Sequence, residues 1–293
     1  MKHQRRIAYF ALLAMALVWG IAPPVIKYTL QYADPVNFLF YRFLLASIIV
    51  IGPLVVQLYR NRPTLRELFT LIFVGFIGTP LSLYLLFLGI DRTTSVESSI
   101  IWVLSPILIL LGGWSLLKEK IDLNEKIGAV LAILGILLTV IQPLFENGIN
   151  PENLKGNLLV LGGTICWAVY SLLVKKDNNK KLSPFILTAS SFVIAAICFF
   201  PFAATSNFAL DLRALPGIIY MAIFGSIVAY LAYTYAISKI EVSEASMFTY
   251  LEPLFGVPAA MVFLGEKITF PFIIGAVLIT TGIIISQRKT KQN

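Results

Sequence analysis

Histidine occurs once in this chain and cysteine twice, and charged residues make up only 13% of its 293 positions. Each shortage excludes something. The one histidine, His3, stands near the start of a basic tail, so His-based zinc sites and Ser-His or Cys-His nucleophile systems cannot be built. Cys166 and Cys198 lie inside apolar runs and read as two small hydrophobes, not as a disulfide or a metal pair. A soluble domain carries about 25% charged residues. Here too few polar residues remain to cover a surface facing water, so lipid must cover most of it. The net charge of +8 does not point to nucleic acid, because the basic residues sit in short loops and not along one face. A glycine-rich nucleotide loop ending in Lys-Ser or Lys-Thr is also missing, so ATP is not the expected energy source. No cofactor is expected. The expected partners are a small-molecule substrate and the lipid bilayer.

What the chain has in abundance is apolar sequence, 58% of its residues. A helix needs about 20 apolar residues to cross a bilayer. The expected spans are Ile7 to Tyr28, Pro35 to Tyr59, Leu68 to Ile90, Ser95 to Leu117, Asn124 to Leu144, Gly156 to Lys175, Leu182 to Ser206, Leu215 to Ser238, Val242 to Leu264 and Thr269 to Ser286. Short separators with turn chemistry divide them, such as Tyr32-Ala33-Asp34-Pro35 and Asn147-Gly148-Ile149-Asn150-Pro151. Lys2, Arg5 and Arg6 before the first run, with Ala14-Met15-Ala16 inside it, imitate a signal peptide. The apolar run continues to Tyr28, however, so it reads as a retained first helix.

Lys and Arg set the expected direction. A cytoplasmic N-terminus places Lys2, Arg5, Arg6, Arg60, Arg62, Arg66, Lys118, Lys120, Lys126, Lys175, Lys176, Lys180, Lys181, Lys239, Arg288, Lys289 and Lys291 inside. Only Lys27, Arg92, Lys155, Arg213 and Lys267 remain outside. Positive residues concentrate on the cytoplasmic side, so both termini are assigned there.

The chain also repeats itself. A shift of about 147 positions lays Glu97 on Glu244, Ser99 on Ser246, Pro106 on Pro253, Glu119 on Glu266, Gly128 on Gly275 and Gly135 on Gly282. Nearly the same shift lays Trp19 on Trp167 and Lys27 on Lys175. The predicted fold is an all-α integral membrane protein of ten transmembrane helices, divided into a first five-helix repeat over 1–147 and a second over 148–293. An odd number of helices per half inserts the second half upside down, and inverted repeats place the substrate site between the halves near the midplane.

Certain helices are expected to line that site. The fifth and tenth carry Gly128, Gly135, Gly275 and Gly282, spaced to lie on one face, and read as packing scaffold. The fourth and ninth each carry a proline, Pro106 and Pro253, which removes a helical hydrogen bond at depth; Pro23-Pro24 predicts a similar break in the first. Tyr28, Tyr59 and Trp114 lie near helix ends and fit an interfacial belt. Trp19, Trp102, Trp167 and Tyr250 lie near helix centres and are candidates for a cavity lining. With them stand Tyr84, Ser105, Tyr170, Ser171, Tyr230, Tyr233, Tyr235 and Glu252.

Charges at depth are costly unless paired, wetted or neutralised. Glu252 falls near the midplane, and three roles stay open for it: carrying a coupling proton, binding a substrate amine, or making a structural hydrogen bond. Its repeat mate is Ser105, so the symmetric fold does not require the charge. Arg42 reads as a structural charge that snorkels outward or pairs with a carboxylate. Glu97 and Glu244 suit the positive ends of the fourth and ninth helices. Glu119 and Glu266, beside lysines, read as local ion pairs.

Leu17-Val18-Trp19-Gly20, Tyr41-Arg42-Phe43, Ser105-Pro106 through Glu119-Lys120, and Tyr250-Leu251-Glu252-Pro253 through Gly265-Glu266-Lys267 together resemble the drug/metabolite transporter superfamily, in its EamA branch of bacterial metabolite exporters. The resemblance covers nearly the whole chain. It implies efflux of amino acids or other small metabolites through a central cavity lined by the first, third, fourth, sixth, eighth and ninth helices. The expected activity is therefore secondary transport by alternating access, with Trp19, Trp102, Trp167, Tyr170, Tyr250 and Glu252 framing the site. Proton-coupled efflux of cationic drugs is the alternative. An intramembrane lipid-modifying enzyme is remote, because no paired carboxylates, metal triad or activated nucleophile stand at workable spacing.

Overall fold

The computed structural model describes residues 2–92, 101–102, 104–147, 154–176, 182–206, 208–264 and 270–286. Among these, regular structure is entirely helical and falls into ten stretches. They are α1 (Lys2–Thr29), α2 (Pro35–Asn61), α3 (Leu65–Arg92), α4 (Leu104–Leu116), α5 (Leu123–Asn147), α6 (Leu154–Lys176), α7 (Pro184–Thr205), α8 (Leu212–Lys239), α9 (242–264) and α10 (Phe270–Ser286). Six of them (α1, α2, α3, α6, α7 and α8) are long and apolar enough to cross a membrane. Glu97, Ser99, Gly265, Glu266, Lys267, Lys180, Lys181, Arg288, Lys289 and Lys291 lie outside the described residues.

Local chemistry explains where the helices begin. α2 follows Asp34, whose carboxylate accepts from the backbone N–H groups of Val36 (3.0 Å) and Asn37 (3.1 Å), with Pro35 preset for the first turn. α7 starts in the same way, from Ser183 and Pro184. α3 opens on a reciprocal box between Thr64 and Glu67. α8 follows Asp211, whose carboxyl is held down to about 2 by hydrogen bonds from the Arg213 side chain and backbone.

The bundle is built inside out relative to a soluble protein. Phe10, Phe69, Ile197 and Val262 are exposed, whereas Thr79, Ser82, Thr164, Ser171, Thr188, Ser226 and Thr234 are buried. Lipid suits the first group. Members of the second group find partners on neighbouring helices or their own: Ser82 donates to the Gly163 carbonyl (2.9 Å), Thr188 and Thr234 share a hydrogen bond (2.9 Å), and Thr164 donates to the Val160 carbonyl (2.8 Å). α5 packs along α10, and Gly128, Gly135, Gly275 and Gly282 are all buried. α1 packs on α8 and α9; α6 packs on α3 and α4; α2 lies along α7.

Two regions of the backbone depart from expectation. α1 runs unbroken through Pro23 and Pro24, where a break was predicted. Pro24 frees the carbonyl of Gly20, but that oxygen abuts α9, where a Cβ built on Gly256 would lie 2.6 Å from it. The freed group faces protein and not lipid, so the helix can continue. The departures from α-helical winding lie elsewhere. α3 widens to a π-helix over Ile77–Leu81, which contains Pro80, and α8 does so over Met221–Val228. Segments of this kind are frequent at functional sites. α9 tightens to a 3-10 helix over Met247–Leu251 and resumes at Glu252.

The α1–α9 crossing depends on Gly20. A Cβ there would stand 2.4 Å from the Glu252 carbonyl oxygen and 2.9 Å from the Phe255 Cβ. Backbone cannot yield locally, so Gly20→Ala must push the two helices apart. We expect a loss of about 1–3 kcal/mol, read as a lower melting temperature of the purified protein, while Gly52→Ala, at a position where a Cβ meets nothing within 4 Å, should melt as the parent does.

Candidate functional site

Trp167 of α6 is at the centre of an aromatic cluster contributed by three helices and by Trp102. Its ring centroid lies 5.3 Å from Trp19 of α1, 5.5 Å from Tyr230 and 5.3 Å from Tyr233 of α8, 5.4 Å from Tyr170 and 6.3 Å from Trp102, just before α4. Trp19 also meets Tyr230 edge-on at 5.2 Å. Trp167, Tyr170, Tyr230 and Tyr233 are buried; Trp19 and Trp102 are half-buried. The close approach of α3 to this cluster relies on Gly78, since a Cβ there would fall 2.0 Å from the Tyr170 ring.

The π-helical part of α8 ties the cluster to a buried charge. The Gly225 carbonyl accepts from the Trp19 indole N–H (2.9 Å) and from the Arg42 guanidinium (3.3 Å). Arg42 Nε donates to Ser226 Oγ (2.8 Å), which itself donates to the Met221 carbonyl (3.0 Å). Arg42 is 2% exposed, and its guanidinium lies 4.9 Å from the Phe43 ring. It thus neither snorkels nor, among the described residues, pairs with a carboxylate, as had been expected. Hydroxyl and carbonyl dipoles from a neighbouring helix support the charge instead.

The other predicted residues are distributed unevenly. Ser105 is buried with its hydroxyl unpartnered among the described residues, and the Ser171 hydroxyl donates back to the Trp167 carbonyl (3.0 Å). Tyr250 is buried in the 3-10 part of α9, which packs on α1. Tyr84 is not brought into the cluster: its ring lies against Phe199 (6.2 Å) and Phe202 (6.5 Å) of α7. Tyr235 is also apart, with Lys239 over its ring. Glu252 is half-buried, and its Oε1 is enclosed without a hydrogen-bond partner. Gly225 and Ser226 were missed. The available signal was Gly78-Thr79, the same small-polar pair one repeat earlier inside an apolar helix.

A second polar constellation holds the turn between α8 and α9 from three directions. Lys175 of α6 donates to the carbonyls of Ile237 (2.9 Å) and Ile240 (2.5 Å), capping the end of α8. Glu119 accepts from the N–H groups of Val242 (3.0 Å) and Ser243 (3.3 Å) and from the Ser243 hydroxyl (2.7 Å), capping the start of α9. Glu119 is therefore not the local ion pair that its lysine neighbours suggested. Glu244 does lie in the first turn of α9, but it also receives Arg5 (2.5 Å) and the Tyr9 hydroxyl from α1.

Apolar side chains outward, hydroxyls inward and a polar, aromatic centre define a multi-pass membrane protein. Comparison with known proteins gives the class its family. The chain belongs to the EamA-like transporter family, whose profile matches residues 6–141 and 154–287. It is 28% identical to an uncharacterized transporter of Archaeoglobus fulgidus over 92% of this chain and 95% of that one. It is 27% identical to the uncharacterized transporter YyaM of Bacillus subtilis over 97% of this chain and 94% of that one. A solved crystal structure at 16% identity superposes with a TM-score of 0.80, covering 96% of each chain, and shares the fold. The protein is a transporter rather than an enzyme.

Proposed function

We propose that this transporter exports amino acids or similar small metabolites across the bacterial cytoplasmic membrane by alternating access, with the substrate site at the aromatic cluster around Trp167. One observation carries the reading. Among the described residues, seven buried side-chain polar atoms lack a hydrogen-bond partner: Ser47 Oγ, Thr79 Oγ1, Ser105 Oγ, Trp167 Nε1, Tyr170 OH, Tyr233 OH and Glu252 Oε1. An unmet polar group in a low-dielectric interior costs about 1–3 kcal/mol, so a protein holds several together only where something else meets them. A polar substrate, or the water it displaces, would do so. Trp167, Tyr170 and Tyr233 bring three of these atoms onto rings already in contact. Flux into vesicles reconstituted with the purified protein tests the reading: Trp167→Ala should abolish amino-acid flux, and undiminished flux would move the site elsewhere. Efflux of cationic drugs driven by protons is the second reading, favoured by the unpartnered carboxylate of Glu252.

The architecture that goes with this function is ten spans in two inverted halves, 1–147 and 148–293. Its support is the paired packing: α1 takes α8 and α9 as α6 takes α3 and α4, and π-helical segments fall at matched places in α3 and α8. The twofold match of the family profile agrees. Both termini are then cytoplasmic. Reporter fusions after Asn293 and at Asn147 should report opposite sides of the membrane; the same side for both would exclude the inverted arrangement.

A further inference from the structure

A pocket of about 660 Å³ opens between the end of α4 and the start of α5. It lies at the end of the bundle that carries the N-terminus, because its Glu119 caps α9, where Glu244 holds Arg5. One wall is apolar and outward-facing: Leu111 is 53% and Trp114 60% exposed. The remainder holds three basic side chains, Lys118, Lys120 and Lys126, with Glu119 and Ile121 between them. The nearby carboxylates are all engaged. Glu119 accepts from the first residues of α9. Asp122 and Glu125 form a reciprocal cap at the start of α5, with the Asp122 N–H on Glu125 (3.0 Å) and the Glu125 N–H on Asp122 (2.9 Å). Among the described residues no carboxylate forms an ion pair with any of the three lysines.

The turn also fixes where these lysines stand. The N–H groups of Leu117 (3.2 Å) and Glu119 (3.0 Å) both return to the Gly113 carbonyl, and Lys118 adopts a left-handed conformation (φ 57°). Lys118 and Lys120 therefore flank a Glu119 that is anchored elsewhere. An indole at the water–lipid boundary, an aliphatic wall beyond it and three unneutralised ammonium groups form a surface with one complementary ligand in a membrane. We propose that this pocket binds the phosphate of an anionic phospholipid, with an acyl chain against Leu111 and Trp114. The proposal rests on α4 crossing the bilayer, so that its end lies among the headgroups. Basic pockets between helices at the cytoplasmic face suit such headgroups.

The test uses the full chain, purified and titrated with phosphatidylglycerol or phosphatidylcholine, with bound lipid counted by native mass spectrometry. The wild type should retain one phosphatidylglycerol at least tenfold more tightly than phosphatidylcholine. Each lysine lost should weaken that retention about fivefold, and Lys118→Gln/Lys120→Gln/Lys126→Gln roughly a hundredfold. Melting in phosphatidylcholine alone checks that the triple variant is folded. Should it not fold, Lys126→Gln, at an exposed position, carries the test with its fivefold loss. Equal retention by wild type and variant overturns the proposal. So does inorganic phosphate that displaces phosphatidylglycerol stoichiometrically, because the pocket would then hold a free anion. Neither readout involves substrate, so failure of the transport reading leaves this result intact.

Discussion

If Glu252 carries the coupling proton or binds the substrate amine, replacing it with glutamine abolishes gradient-driven flux while leaving membrane insertion and melting temperature unchanged. The carboxylate stands where α9 resumes after its 3-10 segment, and its Oε1 is enclosed without a partner. On the ten-span reading the group lies near the midplane, where an ionised carboxylate costs at least about 2.5 kcal/mol. Glutamine keeps the shape and hydrogen-bonding capacity but cannot titrate or neutralise an amine. Flux into vesicles across a pH series separates the three roles. A coupling proton predicts no driven flux and no pH dependence in Glu252→Gln. A substrate amine predicts loss of binding at every pH. If the group only makes a structural hydrogen bond, glutamine transports normally and Glu252→Ala destabilises. Flux and pH dependence equal to wild type would remove Glu252 from the mechanism.

Glu119→Ala will loosen the α8–α9 turn and raise access to it from the N-terminal end of the bundle. The substitution leaves two buried N–H groups and one hydroxyl without their acceptor. At about 1–3 kcal/mol for each unmet group, the capped arrangement of the turn loses enough to shift its population by about tenfold or more. A variant lacking Cys166 and Cys198 and carrying Ala245→Cys, at a buried position, provides the readout. Maleimide labelling of that cysteine should quicken at least tenfold in Glu119→Ala and less in Glu119→Gln, which retains one acceptor oxygen. An unchanged rate would show that Glu119 is not what keeps Ala245 covered.

These expectations also mark where sequence reading succeeds and stops. The helices were legible because runs of apolar residues are bounded by strong local signals, Asp34-Pro35 and Ser183-Pro184 among them. Trp19, Trp167, Tyr170 and Tyr230 were legible because aromatic side chains at helix centres need enclosure. Tyr84 looked the same and is not in the cluster, since no sequence pattern says which face of α3 meets α6 and which meets α7. The π-helical segments were illegible because nothing in the local sequence marks where a helix widens; in the fold the one in α3 packs on α6 and α7, and the one in α8 packs on α2. Glu119 was misread because Lys118 and Lys120 adjoin it in sequence, whereas its partners lie 123 and 124 residues away.

Arg42 and Glu252 have one more consequence. Each occupies a position whose counterpart in the other half is a serine: Ser191 in α7, aligned through the matching starts at Asp34-Pro35 and Ser183-Pro184, and Ser105 beside Pro106. Two identical halves exchanging conformations would form a degenerate pair, with the empty carrier divided evenly between facing in and facing out. On the proposed alternating-access reading, each exchange would carry Arg42 and Glu252 into surroundings that have no equivalent on the other side. On the inverted-repeat reading the degeneracy is lifted, and the unloaded protein rests with a bias toward one face. Transport in one direction and its reverse then run at different half-saturating concentrations, even with no gradient applied.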